Sequence, residues 1–357
     1  MEIGLLGMPA SGKTTIFNAL TGQAAATAPS GKLEINQAIV AVPDPRVDRL
    51  AQIFEPRKTT YASIHYVDLV GLQVTEGAGL PQQALTLLGN TDMLLIVLRA
   101  FDGGLGAPDP LCDAEAIDLE MTVSDLQKVE NRLERLQKQL LRVAGAERDA
   151  LRLEADALER ARPPLESGQP LREIDFTPEQ RKAIRGFQFL TLKPALYLLN
   201  CESVEQAADP ATLAPLAERA RRPNTAVAAL AGEIEQEIAQ LPPADRAEFL
   251  ATYGIEKPGS ERIIQLSYDL LGLMSFLTAG KDEVRAWTVA RGASAPEAAG
   301  VIHTDFQKGF IRAEVASFEA LSQYGTMKAC RENGQLRTEG KGYIMQDGDV
   351  VEFLFSR

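Results

Sequence analysis

Apolar residues in the first third of the chain switch between two periods. Glu2 to Leu6 is a short apolar run of strand length. Over Lys13 to Leu20, by contrast, Ile16, Phe17 and Leu20 recur at helical spacing and Gly22 closes the turn. Gln37 to Val42 reads as a strand, and Ala62 to Val67 as another that leads into Asp68. Met93 to Leu98, Pro194 to Leu199 and Thr225 to Leu230 are continuous apolar runs. Runs of that kind suit parallel strands covered by helices on both faces, so the pattern predicts an α/β domain with a doubly wound sheet.

A different period interrupts this alternation. Leu126, Val129, Leu133, Leu136, Leu140 and Val143 recur at alternating steps of three and four, a heptad seam. Ala144-Gly145-Ala146 breaks the seam, and Leu151, Ala155 and Leu158 resume it up to Pro163-Pro164. An antiparallel helical hairpin follows, its arms packed on each other rather than on a second chain, so a monomer is expected. Thr177-Pro178-Glu179-Gln180 has the spacing of a capping box and predicts a further helix. Near the C-terminus Val284 to Val289 is strand-like. Tyr343 to Met345 is predicted to pair with Val350 to Phe355 across Gln346-Asp347-Gly348-Asp349 as a hairpin in a small, separate α+β module.

Composition narrows the class without choosing a function. A chain of 357 residues, 45% hydrophobic and 24% charged, can bury a sizeable core in two or three domains. No apolar run approaches the roughly 18 residues needed to cross a bilayer, and Met1-Glu2-Ile3 lacks the basic start of a signal peptide. The three cysteines, Cys112, Cys201 and Cys330, are odd in number and widely spaced, which predicts neither a disulfide framework nor a zinc cluster and fits a cytoplasmic setting. His65 and His303 are too few for a histidine metal site. A net charge of −12 argues against bulk electrostatic coating of nucleic acid but leaves a local basic patch open.

The chemistry sits near the start. Gly7-Met8-Pro9-Ala10-Ser11-Gly12-Lys13-Thr14 fits G-x-x-x-x-G-K-[ST] without a gap, between a predicted strand and a predicted helix. That spacing lets successive backbone N–H groups wrap phosphates. It also lets Lys13 reach the β and γ phosphates and the Thr14 hydroxyl ligate Mg²⁺. The helix that follows aims its positive N-terminus at the same anion. Asp68-Leu69-Val70-Gly71 follows a strand, as a D-x-x-G element does when its Asp holds Mg²⁺ through water and its Gly N–H meets the γ-phosphate. Together these motifs predict a nucleoside triphosphate with Mg²⁺.

With those motifs, "VPDPRVDRLAQIFEP", "YVDLVGL", "VENRLERLQK", "AGKDEVRAWTV", "AGVIHTDFQKGFIRAEV" and "DGDVVEFLF", nearly the whole chain resembles the YchF/Obg-like ATPases, a branch of the translation-factor class of P-loop GTPases. The resemblance implies a discontinuous G domain over 1–118 and 190–275, an inserted helical coiled-coil hairpin over 119–189 and a β-grasp TGS domain over 276–357. It also implies ribosome association and a preference for ATP over GTP. The hairpin segment 119–190 carries 13 Lys+Arg and 13 Asp+Glu, and 280–357 carries 10 and 11. Both appendages could therefore approach RNA without strong repulsion. Lys308, Phe310 and Arg312 form one candidate contact patch.

Base reading and catalysis depart from the family pattern. ATP preference in the family goes with Asn-x-x-Glu in place of the guanine-reading Asn-Lys-x-Asp; here the run is Asn200-Cys201-Glu202-Ser203, neither form complete, so adenine or relaxed selectivity is expected. The second base loop aligns with Ala231-Gly232-Glu233. Leu72 stands where many GTPases place the water-orienting Gln. The loop "RAFDGGLGAPDPL" lacks the family's proposed histidine, Lys32 aligns with its metal-closing threonine (Thr27 being the nearest hydroxyl), and Ala10 replaces an Asn of its phosphate loop. The candidates are thus Lys13, Asp68 and Gly71 for catalysis, and Met8, Pro9, Ala10, Ser11, Gly12, Lys13, Thr14 and Thr15 around the phosphates. Asn200, Cys201, Ala231 and Gly232 are expected at the base, and Thr14 and Asp68 at Mg²⁺. Two readings stay open: a slow ATPase acting as a switch, and a nucleotide sensor that does not hydrolyse.

Overall fold

The computed structural model describes residues 1–25, 34–70, 80–104, 106–252 and 255–356. Thr27, Lys32, Gly71 and Leu72 lie outside the described residues. The strands, in chain order, are β1 (Glu2–Leu6), β2 (Glu34–Ala41), β3 (Lys58–Thr60), β4 (Ser63–Val70), β5 (Met93–Ala100), β6 (Ala195–Cys201), β7 (Thr225–Leu230), β8 (Leu273–Ala279), β9 (Glu283–Ala290), β10 (Phe310–Ala316), β11 (Arg337–Glu339) and β12 (Val350–Phe355). They form two six-stranded sheets, ordered β2-β4-β1-β5-β6-β7 and β11-β10-β12-β8-β9-β3.

The contacts divide the chain into two compact units: 1–39 with 65–263, and 40–64 with 264–357. Residues 40–64 therefore group with the C-terminal residues, whereas the expected boundaries placed them in the G domain. Within that second unit β3 extends the sheet by pairing parallel with β9.

In the first unit β1, β4, β5, β6 and β7 run parallel. Leu94, Ile96, Leu98 and Ala100 of β5 share one core with Ala84 and Leu88 of the helix Gln82–Asn90 and with Ala114, Ile117 and Met121 of the helix Pro110–Leu140. Met93, Leu95 and Val97 are equally buried, so both faces of β5 are covered.

The hairpin is there, with two differences from expectation. Its first helix begins at Pro110, where the Asp109 carboxylate caps Cys112 N, and runs unbroken to Leu140. Its first turns thus cover the sheet and its later ones form the arm. The second helix, Gly145–Glu166, does not stop at Pro163-Pro164 but carries them in its last turn. Ser167 N, bonded to the carbonyls of both prolines, closes the end they were expected to break. Val129, Leu133, Leu136, Leu158, Leu165 and Ile184 make its core, and the Thr177–Gln180 capping box is formed.

Two buried polar clusters pin the base of the hairpin to the sheet. Asp125 accepts from Thr191 N and Oγ1, both at 2.8 Å, and from Lys128. Asp118 accepts from Tyr197, Arg172 and Arg219, all buried.

In the second unit the expected pairing of Tyr343–Met345 with Val350–Phe355 does not form. The turn exists, with Asp349 N bonded to Gln346 O and Gly348 at φ 85°, but β12 is an interior strand between β10 and β8. Both of its edges are taken, which leaves 343–345 with a single bridge from Ile344 to Ser294. The proposed patch at Lys308, Phe310 and Arg312 also changes. Phe310 is buried in the unit's core with Val315 and Phe353, while Ile311 and Arg312 face solvent.

Candidate functional site

The phosphate-loop motif bridges β1 and the helix Lys13–Thr21 at the C-terminal rim of the parallel sheet, where α/β folds gather their ligands. Gly7 sits so close to β5 that a Cβ there would lie 2.4 Å from Val97 O. The loop turns through Ser11 N bonded to Met8 O at 3.2 Å, and Gly12 caps the helix at φ 83°. A side chain at Gly12 would meet Asn200 Nδ2 at 2.1 Å as well as a disfavoured backbone region, so only glycine serves there. Ala10 is a non-glycine residue held left-handed, at φ 59°. Pro9 and Ala10 are exposed, Ser11 is buried, Met8 leans on the sheet core, and Thr15 is half-buried on the first helical turn.

Lys13 arches back over this loop, its Nζ donating to Gly7 O at 2.9 Å and to Met8 O at 3.1 Å. Burial lowers its pKa to about 8, partly countered by the nearby Asp68 carboxylate. Parallel pairing of β1 with β4 sets Asp68 beside Leu5, and the Thr14 hydroxyl donates to Asp68 Oδ2 at 2.9 Å. Asn36 Nδ2, on β2, reaches the same oxygen at 3.5 Å. Asp68 is fully buried, which pushes its carboxyl above the usual range against the pull of Thr14, Lys13 and Asn36.

Two buried oxygens here, Asp68 Oδ1 and Ser11 Oγ, have no hydrogen-bond partner among the described residues. An unpaired anionic oxygen, on a carboxylate whose other oxygen accepts from the Thr14 hydroxyl, is the kind of hard donor that suits Mg²⁺. Thr14 and Asp68 would hold it. Among the described residues no group of three or more His, Cys, Asp or Glu could hold a metal by itself.

The base-side candidates converge on the same loop, not all in the same way. Asn200, at the end of β6, donates from Nδ2 to Ser11 O and accepts at Oδ1 from Gly232 N, both at 3.1 Å. It joins the phosphate loop to the start of the helix Gly232–Gln240, which Ala231 precedes. Cys201 turns its side chain into the sheet core, where burial raises the thiol to about 11, so only its main chain can face a ligand. Glu202 is exposed. Ser203 is engaged as the N-cap of the helix Val204–Ala208, accepting from Gln206 N.

Asn36 and Arg99 escaped the sequence reading. Arg99 donates to the carbonyls of Phe101, Asp102 and Gly106 and so braces the loop after β5. A lone Arg ending the apolar run of β5 was the available signal. For Asn36 there was none.

Residues 2–143 match the family described as "50S ribosome-binding GTPase", and residues 273–356 match one described as "Protein of unknown function (DUF933)", the C-terminal family of YchF GTPases. The ribosome-binding ATPase YchF of Escherichia coli O157:H7 is 40% identical over 99% of both chains. The chain belongs to the YchF/Obg-like ATPase family. The YchF protein of Bacillus subtilis (strain 168) is 38% identical across 100% of this chain and 99% of its own. Obg-like ATPase 1 of Caenorhabditis elegans is 34% identical across 100% and 92%. The solved YchF GTPase of Schizosaccharomyces pombe superposes with a TM-score of 0.84 at 30% identity, covering 99% of this chain and 97% of that one. The fold is accordingly the family's: a P-loop G domain with an inserted helical hairpin, followed by the C-terminal β-grasp TGS module.

Proposed function

We propose that this chain binds ATP with Mg²⁺ at the Gly7–Thr14 loop, hydrolyses it slowly, and uses the bound state as a switch linked to the ribosome. The observation that carries this reading is the unpaired Asp68 carboxylate oxygen beside Thr14, with Lys13 folded over the loop on two backbone carbonyls. A triphosphate would take Lys13 from those carbonyls and hold it protonated between the β and γ oxygens. The loop amides and the N-terminus of the helix Lys13–Thr21 would stabilise charge that grows on the phosphates as water attacks in line. Thr14 and Asp68 would hold Mg²⁺, which would supply positive charge to offset that of the phosphates. Gly71, following β4, is the expected γ-phosphate contact.

Adenine or relaxed selectivity follows from the base side. Guanine reading asks for a carboxylate at the position occupied by Ser203, whose hydroxyl caps a helix instead. Slow turnover follows from the loop after β5, which has no histidine, while His65 lies in β4 at the N-terminal rim, paired in register with Glu2. The same observation supports the second reading, a sensor that binds without hydrolysis. The ribosome link rests on the names of the relatives, and the hairpin and TGS module are the appendages available for it.

Calorimetric titration with ATP and GTP analogues, with and without Mg²⁺, tests binding and base choice; a strong GTP preference would overturn the assignment. Multiple-turnover phosphate release that disappears in Lys13→Ala decides for the enzyme over the sensor.

A further inference from the structure

The parallel sheet has a second rim. Where β5 and β6 begin, opposite the phosphate loop, a cleft of about 390 Å³ is lined by Arg181, Lys182, Arg185, Gln188 and Lys193, with Asp92 as its one acid. β6 spans seven residues, so this rim lies roughly 20 Å from the nucleotide loop at about 3.3 Å per residue.

Several cations of the hairpin and its base pair with carboxylates: Lys128 with Asp125, Arg132 with Glu154, and Arg172 and Arg219 with Asp118. Arg181, Lys182 and Arg185 are exposed, and none meets a carboxylate among the described residues. Asp92 is already used, its Oδ2 accepting from Glu2 N at 2.8 Å. Lys193 forms the floor, its Nζ held by the carbonyls of Gly89 and Thr91 at the end of the helix Gln82–Asn90. Four cations against one engaged acid, on a chain of net charge −12, make a local anion field.

We infer that this cleft grips the phosphodiester backbone of single-stranded RNA, a site separate from the nucleotide loop; the inference rests on the ribosome-linked reading above. A compact phosphate is held by converging backbone amides, as in the Gly7–Thr14 loop. Here the donors are long side chains spread over the helix Pro178–Ile184 and the turn after it, a layout that meets repeated phosphates. Gln188, bonded to Asn90 at 2.6 Å, gives the rim a polar edge for sugar hydroxyls.

The test is fluorescence anisotropy of the full chain with a labelled unstructured RNA of about 20 nucleotides, titrated across salt, for wild type and R181Q/K182Q/R185Q. Three phosphate contacts at about 0.7 per contact predict that the variant's salt slope is shallower by about 2. Its affinity should fall tenfold or more at ~0.1 M salt. ATP affinity, measured in parallel by calorimetry, should stay within about twofold, because exposed substitutions of this kind leave the fold intact. Co-sedimentation with ribosomes should weaken alongside. Wild type that ignores the RNA, or a variant that keeps the wild-type slope and affinity, would overturn the assignment. So would loss of ribosome pelleting with RNA binding retained, which would put an acidic protein in the cleft. Absence of ATP binding in wild type would sink the nucleotide reading alone, leaving the RNA arm legible.

Discussion

Replacing Asn200 separates a load-carrying amide from an ordinary turn residue. The side chain is 4% exposed and makes two hydrogen bonds of 3.1 Å, one given to Ser11 O and one taken from Gly232 N. Asn200→Ala strands a buried carbonyl and a buried N–H. Each orphan costs about 1–3 kcal/mol, so the first unit should lose about 2–6 kcal/mol. Ser11 O belongs to the loop that must wrap the phosphates, so ATP affinity should fall by about tenfold or more as the loop loses its fixed shape. Asn200→Asp is the sharper variant. It keeps an acceptor for Gly232 N but turns an oxygen toward the Ser11 carbonyl, so it should be no better than Ala. A turn residue would tolerate Asp, which favours the same turn positions. Chemical denaturation and ATP calorimetry on both variants read the outcome. Near-wild-type stability and affinity in Asn200→Asp would refute the reasoning.

Three further outcomes follow from the same geometry. With Lys13 at about 8 rather than its ordinary 10.5, ATP should bind with constant affinity below pH 8 and weaken above it, because phosphates raise the lysine's pKa and binding then takes up a proton. The fall approaches tenfold per pH unit, and calorimetry in buffers of different ionisation enthalpy should show the uptake, which Lys13→Met abolishes. Asp118→Ala leaves the buried guanidinium groups of Arg172 and Arg219 without their carboxylate and should cost about 3–5 kcal/mol in urea unfolding. Ala10→Asn, at φ 59°, should stabilise the protein by up to about 1 kcal/mol in thermal melts, since Asn tolerates the left-handed region better than Ala.

Much of the first unit was legible in the sequence because its elements repeat one physical requirement. Buried parallel strands must be apolar on both faces, and β1 and β7 fall at the residues where that run begins and ends. The hairpin's period was equally plain, yet its boundary was not. One continuous helix, Pro110–Leu140, serves the sheet and then the arm, and nothing in a heptad marks where the partner changes. The C-terminal pairing failed for a topological reason. A strong turn at Gln346–Asp349 implies a reversal of the chain, whereas which strand occupies the neighbouring edge is decided by β8 and β10, up to about 80 residues away in sequence.

In the candidate site, legibility tracks the kind of constraint. Gly12, Lys13, Thr14 and Asp68 stand at spacings that binding a triphosphate would impose, so their arrangement could be read before any strand was paired. Asn36 and the two-sided role of Asn200 depend on partners brought together by the sheet, the farthest of them Ser11 and Asn200, 189 residues apart, whereas Arg99 depends on how the loop just after it turns back on its guanidinium. The base reading shows the difference. From sequence, the missing Asp and the displaced Glu202 only weaken the case for guanine. With Ser203 fixed as a helix cap and Cys201 turned into the core, the one carboxylate of that stretch is the exposed Glu202, a place short of the guanine-reading position, so a base would be met there by backbone groups and the remaining valences of Asn200. Those contacts discriminate poorly between purines. A change of selectivity toward guanine would therefore have to begin at Ser203, where a carboxylate could both cap the helix Val204–Ala208 and compete for the base. Ser203→Asp should shift the ATP:GTP affinity ratio toward GTP in the same calorimetric titration.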